Sequence, residues 1–321
     1  MKKVNIFNYT AAYISNAWSF RISRSRNSNV PKKYKEPVKY YEKEILTQQQ
    51  GSDYIKKLLD SNEPFVVARF GTTELGCFND YLKIKLGLRK SFRKIVAFTI
   101  KNNAGFFPPK HNELMQFGDL MSTLYPEIDL LAIFNCVMED YIVNSFCQKT
   151  KLTALRAVDP LISDWTSHLA GKKVLVIHPF ADLILSQYQK REHLFVNKNK
   201  LPLFELMVFK AVQTVAGASD NRFNSWFEAL DYMMNEISKI DFDVALIGAG
   251  SYGLPLAVKI KTELNKQAIH IGGALQLLFG IKGKRWDVRD DFVKYYNEYW
   301  VRPDEKFVPK DAKNVEDGCY W

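Results

Sequence analysis

The sequence has few cysteines and no metal-binding cysteine pattern. Four cysteines, Cys77, Cys136, Cys147 and Cys319, are scattered over 321 residues, and none forms a C-x-x-C pair or has a histidine nearby at a zinc-like spacing. This scarcity excludes a disulfide-rich miniprotein, and it favours a reducing compartment.

Long hydrophobic runs are also absent. No window reaches about 18 apolar residues, and no basic start is followed by an unbroken apolar run, so neither a spanning helix nor a signal peptide is visible. We therefore expect a cytoplasmic protein. The composition, with 47% hydrophobic, 25% charged and 14% aromatic residues, excludes disorder and a collagen-like fibre. The length allows about two domains or one large α/β unit.

Positive charge is concentrated near the N-terminus. The net charge is +10, and residues 1–44 hold ten basic side chains against three acidic ones. This stretch also contains aromatic and aliphatic residues, among them Phe7, Tyr9 and Ile14. We define residues 1–44 as a basic N-terminal arm and residues 45–321 as an α/β domain. The arm predicts attraction to an anionic membrane surface or to nucleic acid, or it is a solvated leader, and these interpretations stay open.

Apolar runs alternate with amphipathic segments from residue 45 onwards. The strand-like runs are 65–70, 95–100, 130–134, 173–178, 244–247 and 268–271, and the helical segments are 47–59, 226–240 and 254–264. This alternation predicts a Rossmann-like, mainly parallel sheet flanked by helices.

A glycine turn follows the predicted strand 244–247 and precedes a helix. Gly248, Gly250 and Gly253 fit G-x-G-x-x-G, with Ser251 and Tyr252 between the last two glycines. Such a turn brings backbone amides and a helix N-terminus to a phosphate, although a tight turn without a ligand would look the same.

A dinucleotide site requires more than this turn. An acidic residue should stand about 20 positions further on, but that place holds His270, Gly272 and Gly273. The sequence therefore favours phosphate binding over NAD. Downstream, Lys282, Lys284 and Arg285 form a basic loop that we expect to fold over a diphosphate, with a solvated surface turn as the alternative.

Two further segments follow strands. In the first, Arg69, Gly71, Thr72 and Glu74 surround a strand-to-helix turn, where Glu74 is either a metal ligand or general base, or part of a cap made by Thr72 or Thr73. In the second, His178 ends a strand, where it serves as a proton carrier or phosphate donor, or is a buried structural histidine.

Together these motifs resemble the bacterial glycosyltransferases of the GT-D fold. Those enzymes carry R-F-G-D-G-E where this chain has Arg69 to Glu74, and Q-A-I-D-I-G where it has Gln267 to Gly272. The resemblance implies that Glu74 is the glutamate of a D-x-E motif that serves metal and nucleotide-sugar binding. The aspartate of that motif is Thr72 here, and the aspartate of the second stretch is His270.

The resemblance implies a function for residues 45–321 as a catalytic domain. We expect a hexosyltransferase-type enzyme that moves a sugar from a nucleotide-diphosphate donor, UDP-sugar above all, to a glycan or lipid-linked acceptor in bacterial surface polysaccharide assembly, such as capsule or O-antigen. Glu74 and His178 are the expected catalytic residues. A requirement for Mn²⁺ or Mg²⁺, with Glu74 as its ligand, stays open because Thr72 replaces a carboxylate.

Two other function classes stay open. An NAD(P)-dependent oxidoreductase rests on the glycine turn, and a non-catalytic basic binding protein rests on the arm and a pI of about 9.2. For the glycosyltransferase, we expect no nucleic-acid partner.

Overall fold

The chain is built around one nine-stranded sheet. The computed structural model describes residues 4–25, 39–216, 218–315 and 318–321. Its strands are β1 (Lys39–Tyr40), β2 (Lys43–Leu46), β3 (Val66–Arg69), β4 (Leu130–Ile133), β5 (Lys151–Ala154), β6 (Lys173–His178), β7 (Glu205–Lys210), β8 (Val244–Ile247) and β9 (Gln267–His270).

Helices connect and cover these strands. They are α1 (Ile6–Ser25), α2 (Gln48–Asp60), α3 (Thr72–Lys85), α4 (Lys94–Ala104), α5 (His111–Leu124), α6 (Glu139–Phe146), α7 (Ala181–Tyr188), α8 (Arg191–Leu194), α9 (Trp226–Ile237), α10 (Gly253–Leu264), α11 (Leu275–Leu278) and α12 (Asp290–Val293). Several short 3₁₀ turns join them, including residues 250–252 and 284–286.

The strand order is β1-β2-β5-β4-β3-β9-β8-β6-β7, and every described strand pair except β1 with β2 is parallel. From β3 the chain moves outward through β4 and β5, then crosses to the other half of the sheet and returns through β8 to β9. The helix after β3, α3, packs on one face of the sheet, and the helix after β9, α11, packs on the other. The two connections therefore part between β3 and β9, and we call this place the reversal of the sheet. In sheets of this kind, ligands bind beyond the carboxyl ends of strands at such a reversal.

Side chains alternate between two core layers along each strand. Val66 and Ala68 face a layer formed with helices α3, α4, α5, α9 and α10, whereas Val67 faces a layer formed with α2, α7 and α11. Because the sheet is covered on both faces, its central strands are short runs of buried apolar residues.

The predicted fold class, a mainly parallel sheet flanked by helices, is confirmed. The predicted strands at 65–70, 130–134, 173–178, 244–247 and 268–271 and the three predicted helices all appear, with shifts of a few residues at their ends. The helix predicted at 47–59 begins where Thr47 and Gln50 form a reciprocal capping box.

One predicted strand is wrong. Residues 95–100 lie within helix α4, with Val96 and Ile100 buried and Ile95 and Phe98 exposed. The error arises because a short apolar run does not distinguish a strand from a helix. In the structure the buried and exposed side chains recur at helical spacing.

Part of the N-terminal arm has structure that the sequence did not predict. Residues 6–25 form α1, whose Tyr9 is buried and donates from its hydroxyl to the Asn79 backbone oxygen at 3.4 Å. The boundary predicted at residue 44 falls inside β2, which pairs with β5. Residues 26–38 of the arm lie outside the described residues. In the part of the chain that the structure describes, no helix combines the length and apolar character of a membrane span.

Candidate active site at the reversal of the sheet

A pocket of about 520 Å³ lies at the carboxyl ends of the central strands. Strands β3, β6, β8 and β9 each bring residues to it at or just after their last position. The predicted site residues in its lining are Arg69, Gly71, Thr72, Glu74, His178, Gly248, Gly250, His270, Gly272, Gly273 and Arg285. The parallel sheet thus brings together motifs that are far apart in the sequence.

Glu74 lies in the first turn of α3, close to the backbone at Gly71. A Cβ placed on Gly71 would be 2.0 Å from Glu74 Oε2, so any other residue at this position would displace the carboxylate. Burial raises the pKa of Glu74, and a hydrogen bond from its own backbone N–H and the nearby charge of Arg69 oppose that rise. The prediction that Thr72 or Thr73 caps the helix is wrong, because Gly71 is the N-cap residue and no side chain caps it.

Arg69 ends β3 beside Glu74. Its Nε is buried and has no hydrogen-bond partner among the described residues, and its guanidinium carbon lies 5.2 Å from the centre of the Phe134 ring. Gly272, at a positive φ of 76°, leaves room for this side chain, since a Cβ there would be 3.0 Å from Arg69 Nε. A buried donor without a partner costs free energy, and an anionic ligand in the pocket would remove that cost.

His178 ends β6 as a neutral imidazole. Its Nδ1 accepts a hydrogen bond from the Phe180 backbone N–H at 3.0 Å, and burial lowers its pKa to about 3. The proton of the neutral ring therefore sits on Nε2. At neutral pH His178 acts as a hydrogen-bond donor through that atom, and its low pKa makes it a weak proton carrier.

His270 ends β9, next to Arg69. Burial, followed by the charge of Arg69, lowers its pKa to about 3, and its Nδ1 has no hydrogen-bond partner among the described residues. Gly253 makes room for the ring, because a Cβ there would be 2.4 Å from His270 Nε2. His270 is therefore a second neutral imidazole at the reversal of the sheet.

The glycine turn after β8 packs tightly against protein atoms. A Cβ on Gly248 would be 2.7 Å from His178 Cδ2, and one on Gly250, which has a positive φ of 54°, would be 2.9 Å from the Ala104 backbone oxygen. Close packing thus accounts for both glycines without a ligand.

Five predicted binding residues do not line the pocket: Ser251, Tyr252, Gly253, Lys282 and Lys284. Ser251 is buried, where its Oγ accepts from Trp226 Nε1 at 2.9 Å and donates to the Ala104 backbone oxygen at 2.7 Å. Tyr252 stacks on the Trp226 ring. The ammonium of Lys282 lies 5.1 Å from the centre of the Tyr296 ring.

Arg285 is the member of the predicted basic loop that reaches the pocket. Its guanidinium carbon lies 4.7 Å from the centre of the Tyr320 ring, and its NH1 donates to the Tyr320 hydroxyl at 3.3 Å. The C-terminal residues 320 and 321 also line the pocket. Tyr320 thus fixes one face of this cation next to the cavity.

Sequence reasoning missed Asp159 and Arg289, which also line the pocket. Burial raises the pKa of Asp159, while backbone N–H groups of Leu161 and Ile162 donate to its carboxylate and oppose the rise. Arg289 pairs with Asp291 at 3.0 Å. The signal for Asp159 was its position after β5, a strand that the hydrophobic pattern did not reveal.

The pocket has few ligands for a divalent metal. Glu74 and Asp159 are its acidic side chains, Thr72 stands where a second carboxylate of the motif would be, and no group of three His, Cys, Asp or Glu in the described ranges could hold an ion. Hard divalent cations prefer several anionic oxygens. The residues present do not fit a tightly held metal ion.

Comparison with known proteins supports the resemblance seen in the sequence. Residues 165–278 match the family model of the GT-D fold-like domain. This segment, about a third of the chain, contains His178, the glycine turn after β8 and the stretch ending at Gly272. The earlier motif from Arg69 to Glu74 lies outside the matched segment, so its assignment stays a prediction. No curated protein matches the chain in sequence.

Two solved structures are similar over most of the chain. One is a selenomethionine-substituted domain of unknown function 1792, with 11% identity and a TM-score of 0.44. The other is described as that domain having a distinct glycosyltransferase fold, with 12% identity and a TM-score of 0.41. Each similarity covers 81% of this chain and 96% of the other.

Proposed function

We propose that this chain is a glycosyltransferase that takes its sugar from a nucleotide-diphosphate donor. The observation that carries the proposal is the pocket at the reversal of the sheet, where Arg69, Arg285 and Arg289 surround a cavity that also contains Glu74. Three guanidinium groups suit a diphosphate, which they can bind through paired, charge-assisted hydrogen bonds. The match of residues 165–278 to the GT-D fold-like domain supports the same class.

The transfer step follows from these groups. The acceptor hydroxyl oxygen attacks the anomeric carbon of the sugar as the bond from that carbon to the diphosphate breaks, and the hydroxyl proton passes to Glu74. A raised pKa helps Glu74 to accept this proton near neutral pH. The arginines stabilise the negative charge that develops on the leaving diphosphate, and His178 and His270 contribute neutral donors.

We propose a glycan or lipid-linked acceptor at the cytoplasmic face of a bacterial membrane, in surface polysaccharide assembly. What supports this part is the N-terminal arm, with its net charge of +7 over residues 1–44. On α1, Phe7 is 81% exposed and Ile14 55% exposed, a composition suited to a membrane surface.

The test measures release of nucleoside diphosphate from a panel of nucleotide sugars, UDP-sugars first, with candidate acceptors and with or without manganese. Glu74→Gln should lower turnover by roughly 10²- to 10⁴-fold, the usual contribution of a general base. Glu113→Gln is the matched control, since Glu113 also stands in the first turn of a helix, α5, but does not line the pocket. Turnover by Glu74→Gln within a few fold of the parent would remove Glu74 from the mechanism. No turnover of any donor would overturn the proposal.

A further inference from the structure

A second basic segment lies outside the N-terminal arm. Residues 81–112 contain eight basic side chains and no acidic one: Lys83, Lys85, Arg89, Lys90, Arg93, Lys94, Lys101 and Lys110. Asp80 and Glu113 flank this segment. It includes the end of α3, the linker from residue 86 to 93 and all of α4.

Helix α4 turns a mixed apolar and basic face to solvent. Val96 and Ile100 are buried in the core, but Ile95 is 59% exposed and Phe98 56% exposed. Residues three, four and seven positions apart share one face of a helix, so Lys94 and Lys101 flank these two apolar side chains. An isoleucine and a phenylalanine therefore stand exposed side by side between two lysines on this face.

Several cations of this segment are not neutralised. Lys85 pairs with Asp119, and Arg93 with Asp80. Lys90, Lys94 and Lys101 are exposed and have no ion pair within the described residues. We define the basic face as Lys94, Ile95, Phe98 and Lys101 of α4, together with Lys90 of the linker that leads into this helix.

Both ends of α4 are held in place. At its start, buried Asp80 accepts hydrogen bonds from the Arg93 backbone N–H at 2.9 Å and from Arg93 Nε at 3.0 Å. At its end, the Ala104 backbone oxygen accepts from Ser251 Oγ, and Asn103 and Ala104 line the pocket. A rigid helix of 11 residues, about 16 Å long, therefore connects the basic face to the candidate active site.

We propose that the basic face docks on an anionic lipid surface. Lysines are attracted to anionic headgroups, and isoleucine and phenylalanine insert into the boundary between headgroups and acyl chains. This combination fits a bilayer better than a nucleic acid, because both apolar side chains can insert into a bilayer whereas only Phe98 offers a base a ring to stack on. Docking through α4 would hold the pocket at a fixed distance from the membrane. This inference concerns a surface outside the pocket, and it does not depend on the proposed transfer activity.

The test is co-sedimentation of the full-length protein with phosphatidylcholine vesicles, with and without phosphatidylglycerol, at low and high salt. The parent should bind only the anionic vesicles, and less at high salt. Combined Lys90→Glu, Lys94→Glu and Lys101→Glu should weaken binding by roughly 100-fold, as expected for three basic residues at such a surface. Ile95→Ser with Phe98→Ser should weaken it at both salt concentrations.

Matched controls change the same residue types elsewhere. Combined Lys57→Glu, Lys149→Glu and Lys310→Glu reverse equal charge at exposed positions, and Val196→Ser with Val288→Ser remove two exposed apolar side chains. Combined Lys32→Glu, Lys33→Glu and Lys35→Glu test the N-terminal arm separately. The two sets of surface controls, when folded, should bind vesicles as the parent does. The folded arm variant should bind vesicles more tightly than the variant of Lys90, Lys94 and Lys101. Circular dichroism and thermal unfolding verify the fold of each.

Three outcomes would overturn the proposal. The first is a parent that ignores anionic vesicles. The second is a loss of binding in the arm variant with none in either basic-face variant. The third is salt-dependent binding of a labelled single-stranded oligonucleotide, without vesicle binding, that the lysine variant loses, which would assign the face to nucleic acid.

Discussion

The surroundings of Glu74 suit the proton acceptor that we propose it to be. Its carboxylate is folded over the glycine at the start of α3, and burial, rather than a neighbouring acid, raises its pKa. A carboxylate with a raised pKa is a stronger base while it is ionised, but the folded chain must hold its charge at some cost in free energy. The proposed function and the stability of the fold are therefore opposed at this position.

This opposition predicts a pH-dependent stability. Because the folded-state pKa of Glu74 lies above its ordinary value of 4.5, the folded chain binds the proton more tightly than the unfolded chain. The contribution of Glu74 to the free energy of unfolding is fully present below pH 4.5, and it is lost as the pH rises through the folded-state pKa.

Glu74→Gln should therefore unfold at a higher urea concentration than the parent at pH 7. Its free energy of unfolding should exceed that of the parent by about 1.4 kcal/mol for each unit by which the pKa of Glu74 is raised. The difference should shrink below pH 4.5, where the parent is protonated. Glu113→Gln serves again as the control. A variant less stable than the parent at pH 7 would show that ionised Glu74 stabilises the fold.

Sequence motifs identified a part of the pocket lining but not the role of each residue. The motifs at Arg69 to Glu74, His178 and His270 all reach the cavity, because carboxyl ends of parallel strands share one edge. Gly248 and Gly250 lie there too, but they pack against His178 and Ala104, contacts that only tertiary structure brings together. A G-x-G-x-x-G pattern cannot distinguish close approach of a phosphate from close approach of a helix.

At the scale of elements, glycine has opposite effects in two neighbouring helices. Gly76 lies inside α3, and a Cβ added there would have no atom within 4 Å, whereas a Cβ on Gly118 of α5 would be 2.2 Å from the Tyr81 ring. Glycine therefore lowers the stability of α3 without any gain in packing, whereas in α5 it is needed for contact with the Tyr81 ring.

Gly76→Ala should stabilise the protein by about 0.5 to 1 kcal/mol, because alanine loses less conformational freedom in a helix. Gly118→Ala should destabilise it by about 1 to 3 kcal/mol, because the methyl group overpacks the interface of α3 and α5. Thermal and urea unfolding measure both changes. Equal shifts of the same sign in the two variants would contradict this packing.

The start of α4 depends on one buried carboxylate. Asp80 has a fully buried side chain and holds Arg93 by both backbone and guanidinium, whereas Asp119 pairs with Lys85 at the surface. Asp80→Asn should cost about 1.5 to 3 kcal/mol, the range for hydrogen bonds to charged groups, and Asp119→Asn less than about 1 kcal/mol. Urea unfolding of both variants measures this difference, and an equal loss would show that α4 is held by other contacts.

Helix α4 also shows which elements the hydrophobic pattern of the sequence cannot predict. Its apolar residues from 95 to 100 look like a strand, and only the packing of Val96 and Ile100 against the core separates the buried from the exposed positions. Strands β5 and β7 escaped detection for a related reason, since their residues are of mixed polarity at the outer parts of the sheet. Buried central strands were found because their apolar runs are continuous.

At the scale of the whole molecule, the reversal between β3 and β9 brings the two halves of the chain to one cavity. Arg69 and Glu74 come from the first half, and His270 and Arg285 from the second. The sequence predicted the parallel sheet, but the strand order depends on which edges pair, and this information is not contained in any single run of residues. The central claim is that this cavity binds the diphosphate of a nucleotide sugar.

The most direct measurement is calorimetric titration of the folded protein with a nucleoside diphosphate, UDP first. We expect saturable binding that weakens by roughly 10- to 150-fold in Arg285→Ala, the equivalent of one charge-assisted contact of about 1.5 to 3 kcal/mol. Arg69→Gln should weaken binding in the same way, whereas Arg222→Ala, on an exposed arginine outside the pocket lining, should leave it unchanged. Undiminished binding in both pocket variants, or no binding by the parent to any nucleoside diphosphate, would contradict the account.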